Sequence, residues 1–171
     1  MIICAGEIES FLDATSIGIG LIDTAINLTN ICNSKEIDEI IFVGSAGSYG
    51  EYDIFDLVTS SSTAQIEHSF LSNSSYTIIK NKIVSHETDP IVNSSNYITA
   101  DEKISKEYLK AGVDLENMEF FSVASVAKKY NIPFKGIFVV TNYCNKDAHE
   151  EFIKNHKRAK EILENYIKSI V

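Results

Sequence analysis

Apolar residues along this chain fall into two patterns, short continuous runs and helix-spaced stripes, and the two alternate. Residues 1–5 form an apolar run ending at Gly6, as a buried first strand would. Leu21 to Cys32 is apolar on nearly every side and follows Gly18-Ile19-Gly20, which predicts a buried helix reached through a glycine turn. Ile37 to Ala46 predicts a second strand centred on Ile40-Ile41-Phe42-Val43, stopping in the small residues Gly44-Ser45-Ala46-Gly47-Ser48. Asp53 to Gln65 is a third extended stretch, with the serines Ser60 to Ser62 at its exit. Glu67 to Pro90 is polar and turn-rich, and only Tyr76-Thr77-Ile78-Ile79 and Lys82-Ile83-Val84 are candidates for short strands there. Ile91-Val92 and Tyr97-Ile98 flank Asn93-Ser94-Ser95-Asn96, another strand followed by small polar residues.

Asp101 to Ala111 predicts a helix with Asp101 as N-cap and Gly112 as stop. A central helix carries Phe120, Val123, Ala124 and Ala127 at helical spacing and ends at Asn131, before Pro133. Phe134 to Val140 is an apolar strand of the kind covered on both faces. Ala159, Ile162, Leu163, Tyr166, Ile167 and Ile170 then make one stripe of a long amphipathic helix. The alternation predicts an α/β fold with a mixed, mainly parallel sheet sandwiched by helices. With 171 residues and no linker or repeat, a single domain over 1–171 is expected.

Charge narrows the choice of partner. The net charge of -9, with Arg158 the only arginine, argues against a phosphate-backbone binder, so no nucleic acid is expected. Cys4, Cys32 and Cys144 are odd in number and widely spaced, signalling neither a disulfide framework nor a zinc site. No metal or cofactor is called for. The N-terminus has no basic leader and no apolar run approaches the ~20 residues that span a bilayer. A cytoplasmic protein without a membrane partner is expected.

Two polar groups stand where a site should be. Glu119 opens the central helix and Asn142 lies where the following strand should end, and ligands of open α/β sheets bind at the carboxyl ends of strands. Glu7 and Glu9 follow the first strand, where the plainer reading is loop acids in water. A glycine turn leading into a helix can cradle an anion, although Gly18 and Gly20 also suit a simple tight turn.

These segments resemble the nucleoside phosphorylase and nucleosidase superfamily, most closely the methylthioadenosine/S-adenosylhomocysteine nucleosidase branch. Glu116-Asn117-Met118-Glu119, Asn131-Ile132-Pro133-Phe134 and Val140-Thr141-Asn142 are similar, without a gap, to the family block V-E-M-E, N-x-P-F and I-S-D. Cys4 to Glu9 is similar to G-A-M-E-x-E, Gly18 to Gly20 to S-G-I-G, Gly44 to Gly47 to G-S-A-G, and Ile91 to Ile98 to I-V-S-G-D-x-F-I. The chain is shorter than usual for the family, between Glu9 and Gly18 and around the middle.

The resemblance implies a phosphorylase/hydrolase-like fold that cleaves a purine nucleoside, assembled as a homo-oligomer. Met118 and Glu119 match the pair that holds the ribose, and a charged acceptor strengthens bonds to its hydroxyls. Tyr97 matches the aromatic that stacks on the base, next to Ile98. Ser45 and Gly47 would line the cleft, Gly18 and Gly20 would meet phosphate, and Glu9 matches the acid that activates water. Asn142 replaces the aspartic acid that protonates purine N7, and an amide can donate a hydrogen bond there but no proton. A Thr-Asn pair at this place is similar to the trimeric purine nucleoside phosphorylases, which act on 6-oxopurines. Ala148-His149-Glu150-Glu151 is similar to their N-H-E-E, whose histidine contacts the 5′-hydroxyl. Phe138 stands where the nucleosidase branch has an arginine.

The expected activity is cleavage of the N-ribosidic bond by water, since phosphate dianion wants a guanidinium that the matched site lacks. The alternatives are a phosphorylase holding phosphate through backbone amides, and a degenerate member that binds a nucleoside or serves assembly.

Overall fold

A computed structural model describes residues 1–170. Its organising element is β3 (Ile40–Ser48), which pairs along its whole length with β9 (Phe134–Tyr143), in parallel. On the other edge of β3 lies β1 (Ile2–Cys4), parallel to it and to the two-residue β2 (Thr15–Ser16). The outer edge of β9 takes β4 (Leu57–Ser60) antiparallel. The carboxyl end of β3 then pairs antiparallel with β8 (Leu115–Asn117). From β8 the sheet continues through parallel β7 (Ile91–Ser94) and β5 (Ser62–Ala64) to antiparallel β6 (Lys82–Ile83). The result is one mixed nine-stranded sheet.

Strand alternation sorts the core into two layers. Phe42 and Phe138 point to one face, where they meet Phe120, Leu28 and Val123 of α1 (Gly20–Ser34) and α4 (Phe120–Tyr130). Val43, Ile137 and Val139 point to the other, against Ala159, Leu163 and Ile167 of α5 (Ala148–Ile170). The expected sandwich is therefore present; of the predicted stripe of the last helix, Ala159, Leu163 and Ile167 are buried against the sheet, Ile162 and Tyr166 pack partly buried beside them, and Ile170 is exposed. Among the described residues, no helix is long and apolar enough to cross a membrane.

The smaller helices are α2 (His68–Leu71) and α3 (Glu102–Lys110), the latter capped by Asp101, whose carboxylate accepts from the N–H groups of Lys103 and Ile104. Asn131 in a left-handed conformation ends α4, and Gly112, also at positive φ, follows α3.

Several boundaries differ from the sequence reading. The strand expected over Ile37 to Ala46 begins at Ile40 and runs on through all the small residues to Ser48, because they are covered by β9 and β8. The serine run is a junction between β4 and β5 rather than an exit: Ser60 Oγ accepts the Ser62 N–H at 2.8 Å and donates to the Pro90 carbonyl at 2.6 Å. Tyr76 to Ile79 and Tyr97-Ile98 form no strand, and Tyr76 and Ile78 are exposed. β8 has no counterpart among the expected elements.

Candidate active site

The carboxyl ends of β1, β3 and β9, the turn before α4 and the start of α5 surround a cavity of about 280 Å³. Glu9, Ser45, Gly47, Ile98, Met118, Glu119, Asn142 and His149 all line it. Residues from six separate segments are thus brought to one place, with Glu116, Asn117, Thr141 and Phe152 added.

A β-bulge places the amide. β3 and β9 pair as Ala46↔Val140 and then Gly47↔Asn142, so Thr141 is an extra residue in β9. Consecutive residues of a regular strand face opposite ways, whereas here both Thr141 and Asn142 reach the cavity. The Thr141 hydroxyl donates to Asn142 Oδ1 at 2.9 Å and Asn142 Nδ2 donates to the Tyr143 carbonyl at 3.2 Å. Those two bonds orient the amide with Nδ2 toward Gly47, where an added Cβ would come within 3.0 Å of it.

Glu119 is held at the amino end of a helix, though not the one it precedes. Its Oε1 accepts the Gly20 N–H of α1 at 2.9 Å, an anion at a helix N-terminus. The cap of α4 is Asn117: its Oδ1 accepts the N–H groups of Glu119 and Phe120, while its Nδ2 donates to the Ser45 carbonyl on β3. Burial, the largest influence, lifts the Glu119 carboxyl to about 7; the Gly20 N–H opposes this and the Glu9 charge adds to it. Glu9 meets the same residue of β3 that Asn117 does, its Oε1 accepting the Ser45 N–H at 3.1 Å.

Glu116 is a third, fully enclosed carboxylate that no sequence argument singled out. It accepts from the Thr99 N–H, the Thr99 hydroxyl and the Tyr49 hydroxyl, and it touches Cys144 Sγ. Burial pushes its carboxyl above the ordinary value against these donors, and pushes the Tyr49 hydroxyl up as well. In the V-E-M-E comparison it occupies the valine position. The only sequence signal for Asn117 was its place two residues before the helix, where Asn commonly caps.

Three expected residues lie outside the cavity lining. Tyr97 is 83% exposed on the loop after β7, and its neighbour Ile98 forms the apolar wall instead. Gly18 and Gly20 offer no free amide to an anion: the Gly18 N–H bonds the Ala5 carbonyl at 2.9 Å and that of Gly20 bonds Glu119. The next amide of α1, Leu21, is taken by Asn96 Oδ1. Phe138, at the arginine position of the nucleosidase branch, is a core residue, its ring 5.1 Å from that of Phe120 and 5.9 Å from that of Phe42. Arg158 stacks over Phe55, 4.2 Å from the ring centroid.

A mixed sheet between helices, with a carboxylate-lined cavity at its strand ends, agrees with what sequence comparison gives: residues 84–171 match the Phosphorylase superfamily, and the chain belongs to that family. Among individual relatives, it is 21% identical over 151 residues to the 5′-methylthioadenosine/S-adenosylhomocysteine nucleosidase of Thermotoga maritima, an overlap of 82% of this chain and 70% of that one. Its fold is that of a Helicobacter pylori nucleosidase of the same name, solved as an Asp-to-Asn mutant with 5′-methylthioadenosine in the active site: the TM-score is 0.81, at 14% identity, over 98% of this chain and 95% of that one. The futalosine hydrolase of Helicobacter pylori superposes equally well, with a TM-score of 0.81 at 15% identity over 98% and 96% of the two chains.

Proposed function

We propose that this chain hydrolyses the N-ribosidic bond of a purine nucleoside. The observation that carries the reading is the charge of the cavity: three carboxylates, Glu9, Glu116 and Glu119, line it, and neither lysine nor arginine does. A phosphate dianion would meet acidic side chains there and no lysine or arginine, with the amides of Gly18, Gly20 and Ser45 already bonded within the protein. An oxocarbenium-like sugar meets attraction. The names of the sequence relative and of the structural neighbours, nucleosidases and a hydrolase, point the same way.

The cavity has two ends along β3. Glu9 is bonded to Ser45, with Glu119 close enough to feel its charge, and Asn142 lies against Gly47, roughly 6–7 Å further along the strand. A ribose at the first end and a purine at the second fit that order. Glu119, with one oxygen on Gly20, keeps acceptor capacity for the ribose hydroxyls. Glu9 takes a proton from water as the water oxygen bonds C1′ and the C1′–N9 bond breaks. The electron pair leaves with the base, where the Asn142 N–H stabilises the negative charge developing at N7 and solvent supplies the proton. With one Nδ2 hydrogen on the Tyr143 carbonyl, one N–H is left for the base, and it suits N7 flanked by an acceptor O6 rather than by an amino group, hence a 6-oxopurine. His149 at the rim would meet the 5′-position.

A second reading follows from the same Asn142: without an acid at the leaving group, the chain binds a nucleoside and does not turn it over. A panel of inosine, guanosine and 5′-methylthioadenosine, incubated with and without phosphate and followed by mass spectrometry, separates these. Free base and free ribose in phosphate-free buffer, lost in Glu9→Gln and Glu119→Gln, are expected. A ribose 1-phosphate product would mean phosphorolysis, and binding without products would leave the second reading.

A further inference from the structure

Two side chains one turn apart on α5 converge on a single backbone atom. The carbonyl oxygen of Ile8 lies 3.2 Å from His156 Nε2 and accepts from Lys160 Nζ at 3.3 Å. Ile8 is the residue before Glu9. The segment between β1 and β2 that carries both is neither helix nor extended strand: it turns through Gly6 at φ 109 and Glu7 at φ 53, and closes with the Glu9 N–H on the Gly6 carbonyl at 2.9 Å. Glu9's own side chain accepts one hydrogen bond, from Ser45. A carboxylate on so short a turn has its position set by whatever holds the neighbouring peptide.

The clasp is itself built into the packing. The Lys160 ammonium lies 5.6 Å from the centroid of the buried Phe11 ring, on the far side of the same turn. The His156 ring sits 5.2 Å from that of Phe152, which lines the cavity. His156 Nδ1 is buried without a partner, so the neutral ring keeps its one proton on Nε2, pointed at Ile8, and leaves a lone pair rather than an unsatisfied donor inside. Both donors of the i, i+4 pair thereby face one acceptor.

We infer that His156 and Lys160 are positioning residues that fix Glu9 against the cavity by clamping the Ile8 peptide from α5. The inference rests on the reading of Glu9 as the base for water. It predicts a specific kinetic pattern: Glu9 acts on water rather than on the nucleoside, so loosening it lowers kcat and leaves KM in place.

The test follows purine release from inosine, guanosine and 5′-methylthioadenosine by the full chain, with Glu9→Gln as the reference for a missing base. His156→Ala/Lys160→Ala is expected to lower kcat roughly ten- to a hundredfold with KM within about twofold, as misplacement of a reacting group does. It is also expected to speed amide hydrogen exchange at residues 7–12. His156→Gln/Lys160→Arg keeps both donors and is expected to recover most of kcat. An unchanged kcat in the alanine pair, a KM change as large as that in kcat, no recovery in the Gln/Arg pair, or unchanged exchange at 7–12 would each overturn the inference. If Glu9→Gln turns over at the wild-type rate, the reading of Glu9 as base fails and the inference with it; an inactive Glu9→Gln beside a fully active alanine pair removes the inference alone.

Discussion

At the scale of single residues, Glu119 is under two opposed demands. The proposed role in ribose binding calls for its ionised form, while burial and the charge of Glu9 favour the protonated one and bring its carboxyl from an ordinary 4.5 to about 7. The folded chain therefore holds a proton that the unfolded chain releases between those values, so stability falls as pH rises through that window and is flat above it. The loss amounts to roughly 3 kcal/mol. Glu119→Gln removes that linkage. In urea unfolding it should be more stable than the wild type at pH 8 and equal to it near pH 4, while losing the nucleoside binding that the wild type shows at pH 8; equal stability at pH 8 would show that Gly20 and its neighbours fully offset the burial. Because Glu9 contributes to the upward shift, nucleoside binding to Glu9→Gln should reach half its maximum at a lower pH than in the wild type.

At the scale of elements, the site depends on how two segments end. Asn117 ties the last residue of β8 to the first turn of α4 and to the Ser45 carbonyl, three hydrogen bonds from one amide. Asn117→Ala leaves two N–H groups of α4 and one β3 carbonyl without partners. It is expected to cost about 1–3 kcal/mol in urea unfolding and to raise KM, because Glu119 follows two residues later. An unchanged KM would mean that Gly20 alone places Glu119. Sequence reasoning reached part of this. The helix after Asp101 was readable because its cap and its glycine stop are local chemistry. β8 was not, since a three-residue strand bearing Glu and Asn has no apolar periodicity and exists only through its pairing with β3 and β7. The bulge at Thr141 was equally invisible, being a difference in count between two strands 95 residues apart in sequence. Of the residues that family likeness pointed to, Glu9, Glu119 and Asn142 line one cavity, while Tyr97 stands outside it on a loop where Thr99 bonds Glu116.

At the scale of the whole molecule, the sandwich and the charge distribution support each other. Phe42, Phe120 and Phe138 close the core on one side of β3 and β9, so the position where the nucleosidase branch has an arginine lies inside an aromatic cluster and contributes no cation to the cavity. The remaining arginine is engaged on Phe55, and the chain as a whole carries a net charge of -9. The cavity thus has three carboxylates without a fixed counter-cation among its lining residues. Such a site should bind a sugar that carries positive charge better than one that does not, since the low-dielectric surroundings screen the attraction weakly. A ribose analogue with a protonated ring nitrogen is expected to bind on the order of 10²-fold more tightly than the neutral carbocycle of the same shape, in the range of modest transition-state mimics. Titration calorimetry of the two analogues measures the ratio directly. Glu9→Gln should reduce it, because Glu9 is the carboxylate proposed to face the anomeric carbon and so the one whose charge the analogue would meet. A ratio near one in the wild type would mean that water or a bound cation neutralises the cavity, and with it the electrostatic case for hydrolysis over phosphorolysis would fall.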